Sequence, residues 1–176
     1  YRIVFGIDDW HVTLANIIKL KNPDVEIECW SFQEGIDQIY SKVIKKVVHK
    51  KFPASQISFS NFSFGHKSIP MIRELNKIIK SEKVIIHLHG LHTYSVNRIL
   101  LKVNFSSTPL IITQRGGGSP EIYWKQKWTH IPQLVLEKLV QPKIDRYIIQ
   151  SYVEYNYLKN KFNEKILLHL QDGLDF

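Results

Sequence analysis

Cysteine occurs once in this sequence, at Cys29. A single thiol excludes an internal disulfide and any multi-cysteine zinc site, so packing alone must hold the fold. Cys29 stands in the apolar-rich stretch Val25-Glu26-Ile27-Glu28-Cys29-Trp30, which marks it as buried filler rather than a reactive thiol. Acidic residues are also scarce. Against 24 Lys and Arg there are 16 Asp and Glu, leaving a net charge of +8. That excess favours an anionic partner: a phosphorylated substrate or an acidic membrane surface. Nucleic acid is set aside, because no standard nucleic-acid module and no basic platform with interleaved aromatics is present. A continuous run of about 18 apolar residues is missing, so neither a transmembrane helix nor a secretory leader is expected. These lacks point to a cytoplasmic, reducing compartment, with peripheral membrane contact left open. The chain starts at Tyr1 rather than Met, so it is expected to be cut from a longer one.

What is present suits one globular domain. At 176 residues, 44% of them hydrophobic, a chain buries about 70% of its unfolded surface and needs no metal to hold it. Short apolar runs alternate with longer amphipathic stretches. Strands are expected at 2–7, 24–32, 84–88, 109–113, 146–150 and 166–170, with a short one at 57–59. Helices are expected at 10–21, 34–52, 69–81, 94–103, within 122–140, and from Ser151 onward, where Glu154 completes a capping box. The alternation predicts an α/β fold: a Rossmann-like, doubly wound, mainly parallel sheet in a single domain spanning residues 1–176. The runs 84–88 and 111–113 are unbroken and apolar, as central strands covered on both faces are. Ligands of such sheets bind beyond the carboxyl ends of the strands, which collects Asp8, Asp9, residues 87–92, residues 114–120 and Ser151 on one edge.

Three features carry chemistry. The first is His87-Leu88-His89-Gly90-Leu91-His92-Thr93. His87 and His89 alternate along a strand and therefore share a face. No Cys or carboxylate flanks them to complete a ligand set, so no metal is assigned. His87 reads as a hydrogen-bonded core histidine, whereas His89 reads equally well as core or as a ligand contact. The second is Gln114-Arg115-Gly116-Gly117-Gly118-Ser119-Pro120. Three glycines let backbone N–H groups approach an anion, and Arg115 can pair with the same group; the plainer alternative is a surface loop. The spacing matches neither a Walker motif nor a dinucleotide fingerprint. The third is the lysine-rich side of the helix expected over 38–52, with Lys42, Lys45, Lys46, Lys50 and Lys51. It is a membrane or anion patch on one reading and the solvated face of a core-facing helix on the other.

The order of Val84-Ile85-Ile86-His87-Leu88-His89-Gly90, Pro109-Leu110-Ile111-Ile112-Thr113 and Asp145-Arg146-Tyr147-Ile148-Ile149-Gln150-Ser151 resembles the acceptor half of retaining GT-B glycosyltransferases of family four. In that family a strand ending in His-x-His precedes a helix. A Pro-led strand then ends at Thr-x-His, an Asp-led strand ends in a helix-capping Ser, and an Asn-Gly-Val-Asp hinge closes the domain. Asp172-Gly173-Leu174-Asp175 is similar to that hinge. The sequence departs from the pattern at Gly6-Ile7-Asp8-Asp9-Trp10, where a Gly-Gly loop is usual. It departs again at Arg115, where a histidine is usual, and at Val84, where an Asp is usual. Glu74 and Glu82 match the family's Glu-x7-Glu spacing but lack its glycine-rich donor context, and are read as surface residues.

The resemblance implies a hexosyl-type transferase. It would move a sugar, with retention, from a nucleotide-sugar to a glycan or lipid-linked acceptor, anionic or membrane-associated. A C-terminal donor domain of the parent chain would hold most of the donor, and no cofactor would sit within this chain. It further implies catalytic roles for His89 and for Asp8 or Asp9. His92, Arg115, Gly116, Gly117, Gly118 and Ser151 would then contact acceptor or phosphate. The alternatives are half of another GT-B enzyme, such as a nucleotide-sugar epimerase, and a non-catalytic Rossmann-like phosphate-binding or interaction module.

Overall fold

The computed structural model describes residues 2–6, 11–59, 62–91, 93–114, 135–136, 138–159 and 167–169. In chain order the elements are β1 (Arg2–Gly6), α1 (His11–Lys21), β2 (Glu26–Gln33), β3 (Tyr40–Ile44), β4 (Val47–Pro53), β5 (Ser55–Phe59), β6 (Phe62–Lys67) and α2 (Ile69–Ser81). They continue with β7 (Val84–His89), α3 (Tyr94–Lys102), β8 (Leu110–Gln114), β9 (Arg146–Ile149), α4 (Tyr152–Leu158) and β10 (Leu167–His169). Eight strands form one sheet in the order β10-β9-β8-β7-β1-β2-β4-β3, and β5 pairs with β6 separately. Every pairing in the large sheet is parallel except that of β3 with β4. The expected α/β class and mainly parallel sheet are therefore observed. The two apolar runs take central places as β7 and β8, with Ile86, Leu110 and Ile112 fully buried.

Alternation along the strands sorts side chains to two faces. Val4, Trp30, Phe52, Ile86, Leu88, Leu110, Ile112, Tyr147 and Ile149 pack with Met71, Leu75 and Ile78 of α2 and with Val96, Ile99 and Leu100 of α3. On the other face Ile27, Cys29 and Val47 pack with Ala15 of α1. Burying each such Leu, Ile or Val contributes about 1.5–3 kcal/mol. The helices start where the sequence supplies caps. Ser68 Oγ accepts from Met71 N–H ahead of α2, and Thr93 Oγ1 accepts from Val96 N–H ahead of α3.

The helix expected over 34–52 is absent; β3, a turn and β4 occupy those residues. Helical spacing of Ile36, Ile39, Tyr40, Val43, Ile44, Val47 and Val48 misled, because the same residues fall into two β-branched runs on either side of Lys45-Lys46. Valine and isoleucine lose rotamer freedom in helices and fit strands. The sheet decides the outcome. Without β4, the outer edge of β2 would leave backbone groups beside the core without partners, and β4 pairs with it from Glu28 to Gln33.

The lysines are dispersed as a result. Lys50 Nζ sits 3.0 Å from Glu28 Oε2 and 3.9 Å from Glu74, and 5.3 Å above the Trp30 ring. Glu28 is buried and also accepts from Trp30 Nε1 at 2.7 Å. Lys50 thus belongs to a partly buried ion pair, while Lys42, Lys45 and Lys46 remain exposed. Glu74 and Glu82, read as surface residues, both pair with cations: Glu74 with Lys50, and Glu82 with Arg2 at 2.9 Å.

Lys45 and Lys46 have φ of 47° and 69°. Both lie in the left-handed region that a two-residue type I′ hairpin turn demands, where Asn-Gly is the least costly pair. Replacing Lys45→Asn together with Lys46→Gly is expected to stabilise the protein by about 1 kcal/mol in urea unfolding, by relieving that backbone cost. In a helix the same pair would destabilise by about 1 kcal/mol or more, so the sign of the change tests the hairpin.

Candidate functional site

Strand order reverses at β1. The chain leaves β1 for β2 on one side, whereas the later strands β7, β8 and β9 follow one another on the other side. The crevice beyond the carboxyl ends of strands at such a reversal is where open α/β sheets bind ligands. Gly6, the last residue of β1, is paired with Leu88 of β7, so His89 stands one residue beyond it at the reversal. His89 pairs in register with Thr113, and Thr113 with Ile148, which brings Ser151 to the same edge.

Several contacts fix the end of β7. His87 Nε2 and Thr113 Oγ1 share a 2.7 Å hydrogen bond, and the His87 and His89 rings lie 4.4 Å apart, tilted by 33°. Both histidines point to one face and are buried at 8% exposure, and Thr113 is buried at 4%. His87 is the hydrogen-bonded histidine that its strand position implied. The chain turns at Gly90, whose φ is 80° and whose N–H donates to Thr113 O. A Cβ there would lie 3.2 Å from Thr93 Cγ2, so both conformation and space favour glycine. Asn97, fully buried, donates from Nδ2 to Leu91 O and Thr93 O, tying the loop back to α3.

Ser151 follows β9 and caps α4, accepting from Glu154 N–H at 3.5 Å, as the capping signal implied. Its hydroxyl is committed to that cap. Asp8, Asp9, His92, Arg115, Gly116, Gly117, Gly118 and the stretch 172–175 lie outside the described residues. Lys42, Lys45, Lys46 and Lys50 do not gather at this edge. Among the described residues no group of three His, Cys, Asp or Glu side chains is placed to hold a metal.

Gln114, read with the glycine-rich segment, is 5% exposed and ends β8 beside Ile149. One feature of the edge escaped sequence reasoning. A cleft of about 730 Å³ opens at the carboxyl ends of β2 and β4, lined by Gln33, Ile36, Asp37, Gln38, Tyr40 and Lys51. Lys51 Nζ donates to Gln33 Oε1 at 3.2 Å on its wall. Reading 34–52 as a helix hid this cleft; the Glu34-Gly35 pair, with Gly35 at φ 73°, was the available turn signal. The β5–β6 hairpin leans over the same region. His66 N–H donates to Ser95 Oγ at 2.8 Å, and His66 Nε2 lies 2.8 Å from Glu34. A second cleft, about 550 Å³ around Asn104 to Pro109 and Asp145, lies at the opposite edge, away from the strand reversal.

No family model matches the sequence, and no curated protein matches it. Solved structures do match its fold. An α,α-trehalose-phosphate synthase (UDP-forming) from Burkholderia vietnamiensis is similar with a TM-score of 0.57 at 10% identity, over 98% of this chain and 48% of that one. A sucrose-phosphate synthase structure from Thermosynechococcus elongatus is similar with a TM-score of 0.54 at 10% identity, over 99% of this chain and 91% of that one. This chain spans about half the length of the trehalose-phosphate synthase chain. At such identity the likeness establishes the fold.

Cys29 is the one thiol, and burial pushes it up to about 12. It therefore remains protonated in the folded protein and is no nucleophile. Its contribution to stability is fully present below about pH 8.5, where the unfolded thiol is also protonated, and is lost as pH rises toward the folded value. At pH 8, iodoacetamide is expected to label Cys29 at least about tenfold more slowly in the native than in the urea-unfolded protein. Equal rates would contradict the burial.

Proposed function

We propose that this chain is the acceptor-side Rossmann-like half of a two-domain GT-B glycosyltransferase, of the retaining, family-four type. The observation that supports this most is the likeness over 98% of the chain to about half of a UDP-forming trehalose-phosphate synthase. The strand reversal at β1, with His89 beside it, is the place where open α/β sheets bind ligands, which supports the reading. The donor is a nucleotide-sugar, and the acceptor is a glycan or lipid-linked molecule with an anionic group.

A retaining transfer requires an oriented acceptor hydroxyl and stabilisation of the departing diphosphate. In this reading His89 orients the acceptor, and Asp8 or Asp9 accepts a hydrogen bond from its hydroxyl. His92, Arg115 and the backbone N–H groups of Gly116, Gly117 and Gly118 hold the anionic group. Ser151 acts by fixing the start of α4 at the same edge.

Supplied with a panel of nucleotide-sugars and acceptors, this chain by itself is expected to give no sugar transfer, because the donor-holding half supplies most of the diphosphate contacts. Joined to that half, it is expected to turn over, and His89→Ala is expected to lower kcat/KM about 100-fold with donor affinity unchanged. Turnover by this chain alone, or an unaltered kcat/KM for His89→Ala, would contradict the assignment.

A further inference from the structure

The parallel strands all begin at the edge opposite the crevice, and the helices that feed them end there. α1 ends at Lys21 ahead of β2, α2 at Ser81 ahead of β7, and α3 at Lys102 ahead of β8. The Lys45-Lys46 turn enters β4 from the same edge. At three of these places an exposed aliphatic side chain adjoins a lysine. Leu20, 79% exposed, precedes Lys21, and Leu101, 42% exposed, precedes Lys102. Val43, 65% exposed, and Ile44 precede the two turn lysines.

A lysine at a helix end complements the helix dipole. The leucine beside it sets apolar surface next to that charge, and Lys45 and Lys46 belong to no helix. They also hold left-handed backbone that Asn-Gly would hold at lower cost. The acidic groups at this edge, Asp24, Glu26, Glu82 and Asp145, offset part of this charge, since Arg2 alone faces both Glu26 and Glu82. With Arg2, with Lys83 ahead of β7 and with Lys143 ahead of β9, the cations still exceed these anions by seven to four.

We propose that this amino edge of the sheet is a docking surface for an anionic lipid bilayer. Lysines with interleaved aliphatic side chains match an interface that is charged at its headgroups and apolar just beneath. A second copy of the chain fits less well, because Lys42 in the middle of edge strand β3 disfavours edge-to-edge pairing. A nucleic acid fits less well too, since the side chains beside the lysines are aliphatic and offer no base-stacking surface. Docked this way, the chain keeps the crevice on the far side, open to solvent. No helix among the described residues is long and apolar enough to cross a membrane, so contact through this edge would be peripheral. The proposal stands independently of the transferase reading.

Co-sedimentation with vesicles of phosphatidylcholine alone, and of phosphatidylcholine mixed with phosphatidylserine, tests it. Binding is expected to the anionic vesicles only and to weaken with salt. Each lysine at such a surface contributes about fivefold in partitioning, so Lys45→Asn with Lys46→Gly should lower binding about 25-fold. That variant is expected to be more stable than the parent protein, so its loss of binding would not reflect unfolding. A Lys45→Gln/Lys46→Gln variant, which keeps long side chains, should lose as much. Lys67→Glu with Arg73→Glu changes net charge by more but lies near the start of α2, at the other edge, and should cost less. Equal binding to both vesicle types, no binding, a greater loss from the Lys67/Arg73 pair, or a soluble dimer broken by the turn substitutions would each overturn the proposal.

Discussion

Strand β1 is hydrogen-bonded from Arg2 to Gly6 with β2 on one side and with β7 on the other, and both neighbours run parallel to it. This shared strand joins the two wings of the sheet. One wing carries β2, β4 and β3, and the other carries β7, β8, β9 and β10. Because the wings are wound in opposite directions, α1 covers one face and α2 and α3 the other, and the strand order reverses at β1. The ionic cluster at the start of β1 reinforces the joint. Arg2 reaches Glu26, Glu28 and Glu82, and Glu28 in turn holds Trp30 and Lys50. The contacts are shared, so removing Arg2 leaves the buried Glu28 with Lys50 and Trp30.

The sheet is chemically polar as well as geometrically so. Its carboxyl edge collects buried polar side chains, His89, Thr113 and Gln114, with Thr113 bonded to His87 and the backbone turned at Gly90. Its amino edge collects exposed lysines and aliphatics. One edge is pre-organised at the atomic level, as a site for a small polar ligand must be, since imprecision of about 1 Å at such a site is costly. The other offers breadth and charge without fixed geometry, which suits a fluid, multivalent surface.

Much of this was legible in the sequence. Unbroken apolar runs such as Val84-Ile85-Ile86 can only be strands buried on both faces, and they revealed the parallel sheet. Ser151 marked a helix start by a chemistry that acts within one turn, and Ser68 and Thr93 carry the same signal ahead of α2 and α3. The His87–Thr113 bond was not legible, since it joins residues brought together only by the pairing of β7 with β8. The β3–β4 hairpin was missed for a similar reason. Locally, 34–52 satisfies a helical period, and what overrides it is the need of β2 for a neighbour, a demand set by residues far away in the chain. The cleft at Gln33 and Lys51 was lost with it. The readings of Asp8, Asp9, Arg115 and the three glycines fall outside the described residues.

The account rests on the claim that the crevice at the end of β1 and β7 is where this chain meets its ligand. Amide and imidazole chemical shifts followed while a phosphorylated sugar is titrated in, with the unphosphorylated sugar as a control, test it most directly. The account predicts saturable shifts concentrated at His89, Gly90, Thr113, Gln114 and Ser151, with the amino edge unmoved. Saturable shifts confined to the amino edge, or to the cleft around Asn104 and Asp145, would contradict it.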